Sequence, residues 1–165
     1  MTRWRPPTVK SSPYITPEGE RALQQELREL WLQRRQDVVP ALRAAAAEGD
    51  RSENAEYIYR KKQLVQMDRR IRYLSRRLDE VEVVRNTPAR RDRVFFGADV
   101  TLEDEAGEIR RYRIVGADET VAARGWISVD SPMARALLGR QIDDAVTVEL
   151  PEGRVELVIL EIFYP

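Results

Sequence analysis

The sequence predicts an α+β protein: an N-terminal antiparallel helical hairpin of coiled-coil type, then a small twisted β-sheet domain carrying one short helix. Three observations predict it. Apolar residues recur three and four apart through the first half of the chain. A glycine-containing polar segment at residues 49–56 splits that half in two. The second half changes to short runs rich in β-branched and aromatic residues, separated by polar turns.

Residues 1–13 contain Pro6, Pro7 and Pro13 among scattered basic residues without periodicity, and read as a flexible arm. Helix signals begin at Thr16, a capping residue followed by Pro17 at a first helical position, with Glu18 and Glu20 suited to the positive end of the helix. Leu23, Leu27, Leu30, Arg34 and Val38 keep a three-and-four spacing, and the alanine-rich residues 41–47 carry it on. Pro40 removes a backbone donor and predicts a kink or local break. Gly49 and Asp50 close this run. The second helix has the cleaner seam, with Tyr57, Leu64, Met67, Ile71, Leu74, Leu78 and Val81 in heptad register. It is predicted to run over residues 53–84, about 45 Å. Neither narrow seam is buried alone, so the two helices of residues 14–86 pair antiparallel as a protruding finger.

Residues 87–93, with Pro88 and several arginines, read as a linker. Residues 94–165 form the sheet domain, with strands predicted over 94–102, 109–116, 126–129, 145–150 and 155–163. A short helix over 131–139 starts at Ser131 as cap and Pro132 in the first turn.

The composition narrows the chemistry. Lys+Arg and Asp+Glu number 28 each, so no global basic excess marks a general nucleic-acid coat. The chain has no cysteine and no histidine, which excludes disulfides, Cys/His zinc sites, cysteine nucleophiles and histidine-based triads. No apolar run reaches the roughly 18 residues that a membrane span needs. A cytoplasmic monomer that does not engage membranes is expected.

The hairpin turn places Asp50, Glu53 and Glu56 at the end of a long lever. One reading of them is a capping box, with Asp50 as cap, Glu53 reaching back from the third position and Glu56 continuing an acidic first turn. The other is chemical. Mg²⁺ is usually held by one or two carboxylates together with waters and substrate phosphates, so an exposed pair binds it weakly until a partner surface completes the shell. In two-metal phosphoryl chemistry, such a pair could recruit the second ion to another protein's site. Beside the turn, Arg60, Lys61, Lys62, Arg69, Arg70, Arg72, Arg76 and Arg77 segregate basic charge on the second helix. This is either a solvated coiled-coil face or a surface for RNA phosphates, with Tyr59 available for stacking and Tyr57 better placed in the seam.

Gly49-Asp50-Arg51-Ser52-Glu53-Asn54-Ala55-Glu56-Tyr57 closely resembles the acidic tip of the Gre transcript-cleavage factors. The segment from Ile127 to Leu138, containing Asp130-Ser131-Pro132, resembles the signature of their globular domain. Val94-Phe95-Phe96-Gly97-Ala98, Arg113-Ile114-Val115-Gly116 and the basic second helix are similar to the GreB branch. The resemblance covers residues from Pro13 to the C-terminus and implies an FKBP-like C-terminal domain without prolyl isomerase activity. It further implies that the globular domain docks on RNA polymerase through Asp130, Ser131 and Pro132, at the rim of the secondary channel. Asp50 and Glu53 would then help hold a Mg²⁺ shared with the polymerase and promote cleavage of backtracked RNA, with Glu56 in support. Tyr59, Arg60, Lys61, Lys62, Arg69, Arg70 and Arg72 would contact that RNA. Some relatives of this architecture inhibit polymerase without stimulating cleavage, so a non-cleaving channel regulator is the alternative. A plain coiled-coil interaction module is the third reading.

Overall fold

The computed structural model describes residues 8–50, 53–85 and 87–165. Two compact units form: Glu20–Val81, and the described residues on either side of it. The elements are β1 (Tyr14–Ile15), α1 (Pro17–Gln33), α2 (Val39–Ala47), α3 (Ala55–Glu80), β2 (Glu82–Val83), β3 (Asp99–Asp104), β4 (Ile109–Val115), β5 (Trp126–Ser128), α4 (Pro132–Leu137), β6 (Ala145–Leu150) and β7 (Gly153–Phe163). A π-helical turn, Arg34–Val38, joins α1 to α2, and a 3-10 turn, Ala122–Arg124, precedes β5.

The helical unit is the expected antiparallel hairpin. Its cross-helix partners run in opposite directions along the chain: Glu26 with Arg70, Arg34 with Asp68, Asp37 with Arg60 and Ala45 with Asn54. Val38, Met67 and Ile71 form the buried seam, flanked by Leu27, Leu30 and Leu64. The break expected at Pro40 takes the form of the π turn, in which the Val39 amide donates to the Arg34 carbonyl. The spacing of the seam explains why a wide turn appears. Leu30 and Val38 are eight residues apart, and at 3.6 residues per turn a regular α-helix would rotate them about 80° from each other. A π turn absorbs one residue and returns Val38 to the seam, where it is fully buried.

The hairpin is narrower than the predicted residues 14–86. Thr16 does cap α1, its hydroxyl accepting from the Gly19 amide at 3.1 Å. The preceding Tyr14–Ile15, however, pairs in parallel with Glu82–Val83. α3 has 26 residues, about 39 Å, and stops at Glu80 instead of continuing to residue 84. Val81, Val83 and Val84 are β-branched, and Val81 is already extended. The Glu82 amide then donates to Pro13 and the Val84 amide to Ile15. Residues 1–7 of the expected arm lie outside the described residues, while Ser12 is hydrogen-bonded to Asp130.

The C-terminal part holds a five-stranded mixed sheet in the order β5-β4-β3-β7-β6, with β4 and β5 parallel and the other pairs antiparallel. Period-two alternation sends Val100, Leu102, Val146, Val148, Leu157 and Ile159 to one face. There they pack with Met133, Ala134 and Leu137 of α4. A register shift between Thr101 and Leu102 leaves Leu160 as an extra residue on β7 and curls the sheet. The strand predicted over 94–102 begins only at Asp99, because Gly97 has a φ of +86° and the Ala98 amide donates back to Phe95 in a turn. No helix among the described residues is long and apolar enough to cross a membrane.

Candidate functional site

The turn between α2 and α3 is built by one asparagine. α2 ends at Ala47, and Gly49 follows with a φ of +138°, a conformation reserved for glycine. Residues 51–52 lie outside the described residues. Asn54 is the N-cap of α3: its Oδ1 accepts from the Tyr57 amide at 3.0 Å. Its Nδ2 donates to the Ala45 carbonyl at 2.7 Å, so the same side chain satisfies a carbonyl in the last turn of α2. This corrects the capping box assigned to Asp50 and Glu53. The helix starts at Ala55 and not at residue 53, and a carboxylate has no donor for the Ala45 carbonyl.

With Asn54 as the cap, Asp50 and Glu53 are both exposed in the turn that joins the helices. They are hard oxygen donors, the type Mg²⁺ accepts, and they leave most of a coordination shell for other groups to fill. Among the described residues no group of three or more potential metal-ligating side chains is gathered. Glu56 differs from the other two. It lies in the first turn of α3, and its Oε1 accepts from Arg60 Nε at 2.8 Å, which withdraws it from the pair. That hydrogen bond raises the pKa of Arg60 above its ordinary value, against desolvation, with Asp37 adding to the rise.

The basic residues of α3 divide by helical position. Lys61, Lys62 and Arg69 surround an outward groove with Ile58 and Val65, both about half exposed. Arg72 and Tyr59 are exposed as well, Tyr59 with the Arg60 guanidinium 5.7 Å from its ring centroid. Arg60 and Arg70 lie on the flanks and brace the hairpin. Arg60 reaches Asp37 at 3.4 Å, and Arg70 holds both oxygens of Glu26 at 2.7 and 3.0 Å. The predicted RNA surface therefore consists of an exposed set, Tyr59, Lys61, Lys62, Arg69 and Arg72, and two arginines engaged across the hairpin.

In the C-terminal part, Ser131 caps α4 by accepting from the Ala134 amide at 3.2 Å, with Pro132 in the first turn, as the sequence predicts. The Asp130 carboxylate accepts from the Ser12 amide at 2.8 Å and the Ser12 hydroxyl at 2.5 Å. Sequence reasoning missed Glu119. Its carboxylate accepts from the Thr16 amide at 3.0 Å, the Thr16 hydroxyl and the Gly116 amide at 2.8 Å, at the positive end of α1. A Cβ on Gly19 would overlap that carboxylate. The only signal in the text was an acid three residues beyond a glycine that ends a strand.

Comparison with known proteins covers nearly the whole chain. Residues 13–83 match the family described as transcription elongation factor, N-terminal, and residues 88–164 match the GreA/GreB C-terminal family. Among solved structures, Thermus aquaticus Gfh1 aligns over 93% of this chain and 99% of its own, at 25% identity and a TM-score of 0.41. Transcription elongation factor GreB of Xanthomonas axonopodis pv. citri is 59% identical over 165 residues, 99% of this chain and 98% of the relative. The GreB of Pseudomonas aeruginosa is 53% identical over 100% of this chain and 98% of its own length. With both family matches in order and relatives this similar along their full length, the chain belongs to the GreA/GreB family of transcription elongation factors.

Proposed function

We propose that this factor acts in the bacterial cytoplasm by entering the secondary channel of RNA polymerase turn first and stimulating the polymerase's own cleavage of backtracked RNA. The observation that carries the reading is the division of labour in the turn. Asn54 caps α3 and holds the Ala45 carbonyl, and Asp50 and Glu53 are exposed at the junction. A shared Mg²⁺, when bound, would favour hydroxide formation from water and stabilise the leaving oxygen of the phosphodiester. The chain's own contribution is two carboxylates delivered to a site whose remaining ligands come from the polymerase. Glu56, held by Arg60, supports the turn more than it serves as a ligand.

The exposed basic set, Lys61, Lys62, Arg69 and Arg72, suits the phosphates of the extruded RNA, with Tyr59 as a stacking surface. Arg60 and Arg70 keep those side chains in place by bracing the hairpin. Asp130, Ser131 and Pro132 are assigned to polymerase docking. Asp130 serves twice in this reading, because it also holds Ser12.

The test is transcript cleavage in stalled elongation complexes with Asp50→Ala and Glu53→Ala. Each substitution removes an exposed carboxylate, so both proteins should fold and bind polymerase as the unaltered chain does. Stimulated cleavage should fall by about 100-fold or more, the scale of losing one electrostatic contributor to a transition state. Cleavage at the unaltered rate by either variant refutes the assignment.

A further inference from the structure

The wide turn that keeps Val38 in the seam also rearranges the opposite side of the first helix. Trp31 and Val39 are eight residues apart, as are Leu32 and Pro40, so a regular helix would rotate the members of each pair about 80° from each other. The π turn brings all four into one outward groove, together with Arg35 and Arg43. Trp31 is 50% exposed and Leu32 46% exposed. No residue lining this groove is acidic.

The tryptophan is held in place. The Arg34 guanidinium sits 5.7 Å from its ring centroid, and Arg34 Nε donates to Asp68 of α3 at 2.7 Å. The ion pair orients the arginine toward α3, the guanidinium lies over the indole, and half of the tryptophan surface stays open to solvent. An exposed aromatic side chain held in one orientation costs little further ordering on binding, and tryptophan and arginine are the side chains most enriched at energetic centres of protein interfaces. A phosphate backbone offers nothing to bury Leu32, Val39 and Pro40, whereas an apolar protein side chain does.

We propose that this groove on α1 and α2 docks a protein segment of the polymerase channel wall, one that presents an apolar side chain to Trp31 and Leu32 and carboxylates to Arg35 and Arg43. The inference rests on the polymerase reading above. It assigns the basic face of α3 to RNA and the tryptophan face to protein.

Binding of the full-length chain to purified RNA polymerase, followed as half-saturation in the cleavage assay and by direct titration, tests it. Trp31→Ala should raise the half-saturating concentration by about tenfold while cleavage at saturation recovers, since the substitution leaves Asp50 and Glu53 in place. Trp31→Phe should regain most of the affinity, and Arg35→Glu with Arg43→Glu should weaken binding and reduce its salt dependence. The far-UV melting curve of Trp31→Ala should match that of the unaltered chain, because the ring lies outside the buried seam. A Trp31→Ala affinity within twofold of the unaltered chain overturns the proposal. So does a Trp31→Ala defect confined to binding of a single-stranded RNA oligonucleotide, or loss of a self-associated species in sedimentation with polymerase binding intact. If the unaltered chain fails to bind polymerase, the channel reading falls and this proposal with it.

Discussion

Replacing Asn54 by alanine tests how the turn is built. The substitution removes two hydrogen bonds at once, from the Tyr57 amide to Oδ1 at 3.0 Å and from Nδ2 to the Ala45 carbonyl at 2.7 Å. Loss of an asparagine N-cap costs about 1 kcal/mol. Leaving the Ala45 carbonyl without its partner costs about 1 kcal/mol more. The total of about 2 kcal/mol corresponds to a roughly thirtyfold increase in local opening of the first turn of α3. Amide hydrogen exchange at Ile58 reads this directly, because its amide closes the first α-helical bond, to the Asn54 carbonyl at 3.1 Å. Asn54→Asp retains the capping oxygen and loses only the donor, so its exchange should accelerate about fivefold for a loss of about 1 kcal/mol. Stimulated cleavage should follow the same order, unaltered chain above Asn54→Asp above Asn54→Ala, with polymerase affinity little changed. Equal protection of Ile58 in all three proteins would refute the claim that one side chain closes both helix ends.

Two further outcomes are expected. Ile71→Ala removes a seam side chain packed with Val38 and Met67, and should destabilise the hairpin by about 2–4 kcal/mol in urea unfolding followed at 222 nm. Tyr164 accepts from the Phe95 amide at 2.9 Å and donates to the Arg93 carbonyl at 2.5 Å, so Tyr164→Phe should cost about 1 kcal/mol at neutral pH. Burial holds the Tyr164 pKa above its usual value of 10.0, partly offset by the Phe95 amide. A phenol whose folded pKa exceeds its unfolded one contributes stability that is present below pH 10 and fades as pH rises from there through the folded value. The Phe variant should therefore lose less stability than the unaltered chain between neutral pH and the alkaline end of that window, measured by denaturant midpoints.

Much of the fold was legible because it is periodic. The seam through Leu64, Met67 and Ile71 repeats at heptad spacing, and the alternation through Val146 and Val148 repeats at two, so both survive reading without a partner. The two-residue strands Tyr14–Ile15 and Glu82–Val83 are too short to carry a period, and only their pairing across the intervening helices defines them. Pro40 signalled that the first helix is disturbed, but the form of the disturbance depends on the eight-residue step between Leu30 and Val38 meeting the fixed partner α3. At the turn, Asp50, Ser52 and Asn54 are all competent caps by residue type. The choice among them rests on the Ala45 carbonyl, which lies nine residues back and faces Asn54 only in the folded hairpin. Similarly, Arg60 and Arg70 read like Lys61 and Lys62 until the register of the hairpin gives them Asp37 and Glu26 as partners.

The wide turn at Arg34–Val38 imposes an arithmetic on the length of the first helix. Whole heptads can be inserted or removed without turning one half of the rod against the other, and a step of eight needs one such wide turn. A change that falls far from a whole number of turns would swing the acidic apex around the hairpin axis as well as moving it along that axis. How far the carboxylates extend and which way they face are thus coupled, and a variant engineered for longer reach keeps its aim when its added residues come close to whole turns, as sevens do.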